Sequence, residues 1–507
     1  MAGAQDGKVD TALVTDQANQ VEFPGAQLPD AAERLAEIGV QLEHVRRETG
    51  LRVVELIDMV EAADWRGATL VSELKGRFFS GGNESQSDEQ VHDWEAVALY
   101  LAHLGSAYLF LVNQFQTYSR GWAEVSDRLP QVIARALRAT GSRLRWERMR
   151  YRPIEPEVWK VLSQLWSYVE DKGLARARVL VYEDRSTLQR EFTKPLMFAM
   201  SAVDSLPAQE IDVADRLISH VAGRFDVQPY PAKGCFFLMD IDRWTVPRRY
   251  QPGGAVRLGS RFFGPGEALA DIETISAHLA AGAISTSDIN LEGISDIEMV
   301  VDVLAHLERH WSLQRPDRRE QRRDSDTRIS VVLGYPEIAK RIASNDTSVP
   351  VDEADAELWG LANESEAGYG ALVPIERGES LHVGELVGVR PSDSRMWAVG
   401  VIRRLTTQDA ARRYVGIELL ARGVQAVGLN NPGNGELVAT GLLLPSHVGD
   451  SVSQGEINLL VSKNSFSPEL ALDMVVYDTR YLLMPLMVLE TGDNFEVGRY
   501  RVVDRHG

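Results

Sequence analysis

The residues with the clearest binding chemistry are arginines that stand immediately before a predicted strand. There the chain reads QRPDRREQRRDSDTR, in which Arg318 and Arg322 are four residues apart, as are Arg319 and Arg323. Guanidinium groups donate paired hydrogen bonds to phosphate oxygens and to O6 and N7 of guanine, and they stack on bases. This segment is therefore suited to a compact anion that carries both phosphates and purine bases.

A second polar motif follows about forty residues later. Asn363, Ser365 and Gly368 have the spacing N-x-S-x-x-G and come directly after the predicted strand Trp359–Leu361. The amide and hydroxyl groups can hydrogen-bond a guanine edge or a backbone, and the glycine permits positive φ or close approach of a ligand. Together with the arginines, this predicted surface turn favours a dianion bearing purines.

The same arginines have a structural interpretation. Four acidic residues lie among them and can pair with them in a solvated linker: Asp317, Glu320, Asp324 and Asp326. An acidic insertion from Asp346 to Glu357 could also cover an empty site. A barrel that keeps its fold but binds no ligand is therefore an alternative.

Two further groups of residues could do chemistry. His306 and His310 are four residues apart on a predicted helix, which is the spacing of a two-histidine metal face. No third ligand stands nearby, so a solvated or interdomain histidine pair is favoured and no metal is expected. Cys235 is followed by Phe236, Phe237 and Leu238, which indicates a core side chain rather than a nucleophile.

A basic stretch between residues 135 and 152 offers a possible nucleic-acid surface. It contains two aromatic residues, Trp146 and Tyr151, and seven arginines: Arg135, Arg138, Arg143, Arg145, Arg148, Arg150 and Arg152. Basic and aromatic side chains together can bind a nucleic-acid strand. The net charge of −19 favours the simpler interpretation that these arginines meet acidic surfaces of this protein or a partner, so no nucleic-acid partner is expected.

Composition limits the remaining classes of function. A chain of 507 residues is too long for one core, and its single cysteine excludes an intramolecular disulfide and suits the cytoplasm. No phosphate loop, G-x-S-x-G elbow or H-E-x-x-H motif is present, and Gly368–Gly370 lacks the third glycine of a dinucleotide fingerprint. We expect no secretory signal and no membrane insertion, since the apolar run Val97–Val112 is short and predicts a buried helix.

The chain divides by pattern into five regions. Residues 1–29 are polar and predict a flexible tail, and residues 30–172 show helical spacing of apolar residues. Residues 173–313 mix helical and strand-like runs and fit no single domain type. Residues 314–424 contain short alternating runs typical of a small antiparallel barrel, and residues 425–507 predict a further C-terminal β unit. The runs in the first β region are Trp359–Leu361, Leu381–Val389, Trp397–Leu405 and Tyr414–Leu420.

The order of these motifs resembles a PilZ domain. An R-x-x-x-R segment before the first strand is followed by [D/N]-x-S-x-x-G and then by strands of the type HVGELVGVR, MWAVGVIRRL and RYVGIELL. The resemblance covers about residues 315–423. PilZ domains are bacterial receptors for cyclic di-GMP, so the resemblance implies that ligand. The fold class expected is α+β multidomain, with a mostly helical N-terminal region, a PilZ-like antiparallel β-barrel and a further C-terminal β unit.

The resemblance also implies which residues bind the ligand. The R-x-x-x-R positions correspond to Arg318 or Arg319 and Arg322 or Arg323, and Arg328 can substitute for one of them. The turn positions correspond to Asn363, Ser365 and Gly368, and the closing strand of the family to Gly416, Ile417 and Glu418. The function expected is a cyclic di-GMP effector, not an enzyme, whose arginine loop is mobile when empty and changes interdomain or partner contacts when the ligand binds.

Two alternatives to this receptor hypothesis stay open. One is a ligand-free scaffold that acts through contacts with an unidentified protein partner. The other is an unrecognised enzyme in residues 30–310, which rests mainly on His306 and His310.

Overall fold

The computed structural model describes most of the chain between residues 30 and 504. The described ranges are 30–48, 50–80, 88–254, 256–313, 323–325, 327–345, 356–378, 380–394, 396–409, 411–445, 455–476 and 479–504. The predicted tail at residues 1–29 and three of the candidate arginines, Arg318, Arg319 and Arg322, lie outside them.

The N-terminal region consists of packed helices. Each helix buries one apolar face, and two of them begin at residues that favour helix starts: the Asp30 carboxylate accepts from the Ala32 amide at 3.3 Å, and Pro156 is the first residue of its helix. The helices are α1 Ala31–Val45, α2 Val53–Ser80, α3 Asp88–Gln116, α4 Leu129–Arg148 and α5 Pro156–Asp171.

Helix α3 is the central helix of this region. Among the described helices, it is the one long and apolar enough to cross a membrane by length and composition. It packs against α1, α2 and α4. Its buried side chains include Trp94, Val97, Tyr108 and Phe115, which form part of the main hydrophobic core.

A buried ionic cluster joins the helices around Asp64. The Asp64 carboxylate accepts from Arg135 Nη1 at 2.6 Å and from the Tyr108 hydroxyl at 2.6 Å, and it also accepts from the Tyr182 hydroxyl. The side chains of Arg135 and Asp64 are 7% and 1% exposed. Removing one partner of such a pair leaves an uncompensated charge in the interior.

The middle of the chain alternates short strands with helices. Strands β1 Arg178–Val181 and β2 Asp184–Thr187 form a hairpin, and helices α6 Leu188–Ala199 and α7 Ala208–Val221 follow. Four strands then form an antiparallel sheet of order β3-β6-β4-β5, and two more helices follow along the chain. These elements are β3 Asp226–Gln228, β4 Phe237–Asp240, β5 Arg248–Arg249, β6 Ser260–Gly264, α8 Ala268–Ala280 and α9 Ile297–Trp311.

The predicted antiparallel barrel is confirmed. Its six strands follow the order β10-β13-β12-β11-β8-β9, β9 pairs back with β10, and the two-residue strand β7 adds to the end of β9. The elements are β7 Arg323–Asp324, β8 Arg328–Leu333, α10 Tyr335–Asn345, β9 Glu357–Ser365, β10 Gly368–Pro374, α11 Ile375–Gly378, β11 Leu386–Pro391, β12 Ala398–Thr407 and β13 Arg412–Arg422.

Two elements of this barrel differ from the sequence expectation. The run Leu381–Val389 was predicted as one strand, but β11 begins only at Leu386, because Gly384 takes φ +94° in a turn before it. Helix α10 lies in a region expected to be β, and it buries Tyr335, Ile338 and Ile342 at helical spacing.

The predicted C-terminal β unit is a second closed barrel. Its strands follow the order β14-β15-β16-β19-β18-β17, and all neighbours are antiparallel. They are β14 Gln425–Asn430, β15 Leu437–Leu444, β16 Glu456–Ser462, β17 Leu472–Val476, β18 Thr479–Thr491 and β19 Phe495–Asp504. The interior holds apolar residues such as Leu459, Leu483 and Tyr500.

The first barrel is packed on both sides. Its interior, with residues such as Trp359 and Val415, is continuous with the core of the helical region. The outer side chains Val399 and Val401 of β12 join α10 and the second barrel in a separate core. At the helical side, the Tyr151 hydroxyl donates to the carbonyl of Leu206 at 3.0 Å, and the Tyr151 carbonyl accepts from Thr407 Oγ1 at 3.2 Å.

Replacing Asp64 by alanine should destabilise the helical region strongly. The change leaves Arg135 buried without its carboxylate, so we expect the free energy of unfolding to fall by about 3–5 kcal/mol. Urea denaturation followed by tryptophan fluorescence measures it. Glu43→Ala, which removes the partner of the exposed Arg47, is the control and should cost less than about 1 kcal/mol. Equal losses in the two variants would contradict the role of the Asp64 cluster.

Candidate functional site

The N-x-S-x-x-G motif forms a tight β-hairpin rather than a loop. Asn363 and Ser365 lie at the end of β9, residues 366 and 367 make the turn, and Gly368 begins β10. Ser365 pairs with Gly368 in the ladder, and the Ser365 hydroxyl donates to the Gly368 carbonyl at 3.5 Å. The two polar side chains are therefore fixed on a rigid hairpin.

The end of the arginine segment pairs with this hairpin. In the antiparallel ladder of β7 and β9, Arg323 stands opposite Glu364 and Asp324 opposite Asn363. One residue further, the Ser325 amide donates to the Ala362 carbonyl at 3.1 Å. The structure thus brings together four predicted site residues: Arg323, Asn363, Ser365 and Gly368.

Arg323 is exposed, as is the other described arginine of this segment, Arg328. Arg328 begins β8 and stands opposite Gly360, three residues before Asn363 on β9. It therefore lies beside the same strand but away from the hairpin turn.

Two glycines of the hairpin pack closely against groups of the neighbouring strands. A Cβ on Gly368 would collide with the carbonyl oxygen of Ile417, and a Cβ on Gly370 would collide with the Tyr414 hydroxyl and the Asn363 amide oxygen. The Tyr414 hydroxyl donates to Asn363 Oδ1 at 3.4 Å. The backbone packing of the hairpin therefore requires glycine at both positions.

The cross-strand pairs extend this face over four strands. Gly370 stands opposite Asn363 on β9 and opposite Gly416 on β13, and Gly416 stands opposite Arg404 on β12. Residues directly opposite each other in antiparallel strands project to the same side of a sheet. We call the surface formed by Asn363, Gly370, Tyr414, Gly416 and Arg404 the glycine face.

Arg422 anchors the hairpin from the end of β13. Its guanidinium donates to the Ser365 carbonyl at 3.3 Å and to the Tyr369 hydroxyl, and it lies 5.0 Å from the centre of the Tyr369 ring. Arg422 was not among the predicted site residues. Its position at the end of a strand of the RYVGIELL type was the available signal.

Two consecutive arginines connect the barrel to its neighbours. A β-bulge in β12 between Ile402 and Arg404 lets Arg403 and Arg404 both reach outward. Arg404 Nε donates to Asp204 of the helical region at 2.6 Å. Arg403 binds Glu418 of β13 at 2.8 Å and Glu490 of the second barrel at 2.7 Å.

We call the chain segment 201–206, which carries Asp204, the corner. The histidine pair lies where α9 packs against this corner. His306 Nε2 is 2.7 Å from the carbonyl oxygen of Ser201, and the rings of His306 and His310 are 4.5 Å apart. Burial first, and then the charge of the neighbouring His306, lower the pKa of His310 to about 4. Within the described ranges, no group of three or more His, Cys, Asp or Glu side chains could hold a metal ion.

The arginines of the basic stretch form ion pairs within this chain. Besides the Asp64 pair, Arg138 pairs with Glu191 of α6, Arg145 pairs with Asp215 of α7, and Arg143 pairs with Glu147 of α4 itself and with Glu155, which precedes α5. Cys235 is buried beside Leu238 and Phe262, and burial raises the pKa of its thiol to about 12.

Gly368→Ala should destabilise the first barrel, because the new Cβ collides with a backbone carbonyl that cannot turn away. We expect a loss of about 1–3 kcal/mol in the free energy of unfolding. Gly360→Ala on β9 is the matched control, since its Cβ would lie 3.7 Å from the nearest heavy atom, in ordinary contact. Thermal unfolding of the two variants should separate them, and equal melting temperatures would contradict this packing.

The histidine pair predicts a loss of stability in acid. The folded state holds His310 neutral while the unfolded chain takes up the proton near pH 6.5, so the unfolding free energy falls as the pH drops from about 6.5 towards 4. Denaturation of the wild type and of His310→Gln at pH 7 and pH 5 measures it. The variant should lose less stability than the wild type, by about 1 kcal/mol. An identical loss in both proteins would contradict the assignment.

Comparison with known families agrees with the barrel described above. The family model of the N-terminal domain of the cyclic-di-GMP receptor FimW matches residues 20–232, and the model of its middle PilZ domain matches residues 340–425. The two matches together cover more than half of the chain, and the arginine segment lies between them. No curated protein and no solved structure matches the chain. The chain belongs to the FimW family of PilZ-type cyclic di-GMP receptors.

Proposed function

We propose that this protein is an effector that binds cyclic di-GMP at the β9–β10 hairpin of its first barrel. The observation that carries the proposal is the ladder between β7 and β9, because it holds the end of the arginine segment beside Asn363. Membership of a cyclic di-GMP receptor family supports the choice of ligand.

The residues of the hairpin suit the two kinds of group in this ligand. Arg323 and the arginines that precede it, Arg318, Arg319 and Arg322, would donate to phosphate oxygens and guanine acceptors. Asn363 and Ser365 would hydrogen-bond a guanine edge or the sugar–phosphate backbone. Gly368 packs against the carbonyl oxygen of Ile417, and this close contact with β13 fixes the hairpin that carries Asn363 and Ser365.

Binding would act on contacts rather than on a chemical bond. The first barrel shares a core with the helical region and a second core with the C-terminal barrel, so a ligand at its outer face can change how three regions meet. The output is then a changed affinity for a protein partner, without catalysis. We expect this to occur in the cytoplasm, since the single cysteine suits a reducing compartment.

Isothermal titration calorimetry with cyclic di-GMP tests the proposal. The wild type should bind, and Arg322→Ala/Arg323→Ala should bind at least about 100-fold more weakly, because each charge-assisted hydrogen bond contributes about 1.5–3 kcal/mol. Arg412→Ala removes an exposed arginine that pairs with Asp409 at the far end of β13, and it should bind like the wild type.

Two outcomes of this titration would contradict the proposal. No heat for the wild type would favour the ligand-free scaffold, whose partner binding is indifferent to the nucleotide. Equal affinity for the wild type and the double arginine variant would show that the ligand binds elsewhere on the protein.

A further inference from the structure

Arg404 lies on the same outer face as the proposed binding residues. It stands opposite Gly416, which stands opposite Gly370, so that two strand spacings, about 10 Å, separate Arg404 from β10. The side chain that lies between Arg404 and the hairpin on this face is Tyr414, which passes over Gly416 and reaches Gly370 and Asn363 with its hydroxyl. A ligand that extends from the hairpin along Tyr414 would reach the guanidinium of Arg404.

The present partner of Arg404 belongs to the helical region. Arg404 Nε donates to Asp204 Oδ2 at 2.6 Å, and the two side chains are 58% and 8% exposed. Asp204 lies in a short 3₁₀ turn, Val203–Ser205, which contacts β12 directly. The exposed end of this ion pair is the arginine, so the arginine is the partner that can turn towards a ligand.

Asp204 keeps a second positive neighbour if Arg404 turns away. Arg148 of α4 is half-buried and interacts electrostatically with both groups: the charge of Asp204 favours its charged form, and the charge of Arg404 disfavours it. Loss of Arg404 from the corner would therefore relieve repulsion between two arginines and leave Asp204 with a favourable interaction with Arg148. A buried carboxylate without any such neighbour would resist the change.

The corner that carries Asp204 is connected to the helix that precedes the arginine segment. Ser201 accepts from Trp311 Nε1 through its hydroxyl at 2.9 Å, and its carbonyl oxygen is 2.7 Å from His306 Nε2. Both partners lie on α9, which ends at Trp311, shortly before the segment that contains Arg318–Arg323. Movement at the corner would therefore act on the helix that precedes the arginine segment.

We propose that Arg404 is a further ligand-binding residue that exchanges its ion pair with Asp204 for a phosphate of the bound dinucleotide, which loosens the contact between the first barrel and the helical region. This inference rests on the proposed function and adds the residue through which the site reaches the helical region. Arg403 takes no part in the exchange, because two carboxylates, Glu418 and Glu490, hold it.

Calorimetry with cyclic di-GMP on two variants tests the exchange. Asp204→Asn removes the competitor for Arg404 while keeping its shape, and it should bind the ligand several-fold more tightly than the wild type. Arg404→Gln should bind about tenfold or more weakly, as expected for the loss of one charge-assisted hydrogen bond. The double variant should bind like Arg404→Gln alone, because Asp204 matters only through Arg404. Arg412→Gln is the matched control and should not change the affinity.

Hydrogen exchange of the backbone amides at residues 202–206 provides a second readout. Cyclic di-GMP should speed exchange there in the wild type and should leave it unchanged in Arg404→Gln at saturating ligand. Suppose that the wild type binds the ligand, that both single variants bind it as tightly as the wild type does, and that hydrogen exchange at residues 202–206 stays constant. The proposed role of Arg404 is then wrong, and the proposed function stands. If the wild type does not bind at all, the proposed function itself fails.

Discussion

The site depends on one short piece of backbone pairing, between β7 and the end of β9. This ladder places Arg323 opposite Glu364 and so fixes where an otherwise separate arginine segment meets the barrel. A guanidinium group recognises phosphates and guanine through a planar fork of donors at the end of a long side chain, so the backbone that carries the arginine must place it correctly. The β9–β10 hairpin provides that position, because its glycines allow the strands to pack closely.

The barrel is placed to pass a local event to both of its neighbours. Its inner core continues into the helical region, and the outer surface of β12 shares a core with the second barrel. The bulge in β12 then adds two specific ion pairs, Arg404 with Asp204 and Arg403 with Glu490. Strand β12, which contributes Arg404 to the glycine face, therefore connects the first barrel with the helical region and with the second barrel.

The fold could be predicted from sequence wherever local pattern decides structure. The runs Trp397–Leu405 and Tyr414–Leu420 identified β12 and β13 closely, and helical spacing from residue 30 identified the region of helices α1 to α5. Helix α10 was missed, although Pro336 followed by Ile338 and Ile342 is a helical signal, because the surrounding pattern was β. The arginines on β12 could not be assigned, since the partner of Arg404 lies 200 residues away in sequence and only tertiary packing brings it close.

A structure of the protein with bound cyclic di-GMP tests the central claim most directly. Our account predicts that a phosphate of the ligand contacts an arginine of the segment ending at Arg323, and that a guanine lies against the β9–β10 hairpin beside Asn363 and Ser365. A ligand bound away from the β9–β10 hairpin, with Asn363 and Ser365 making no contact, would contradict it.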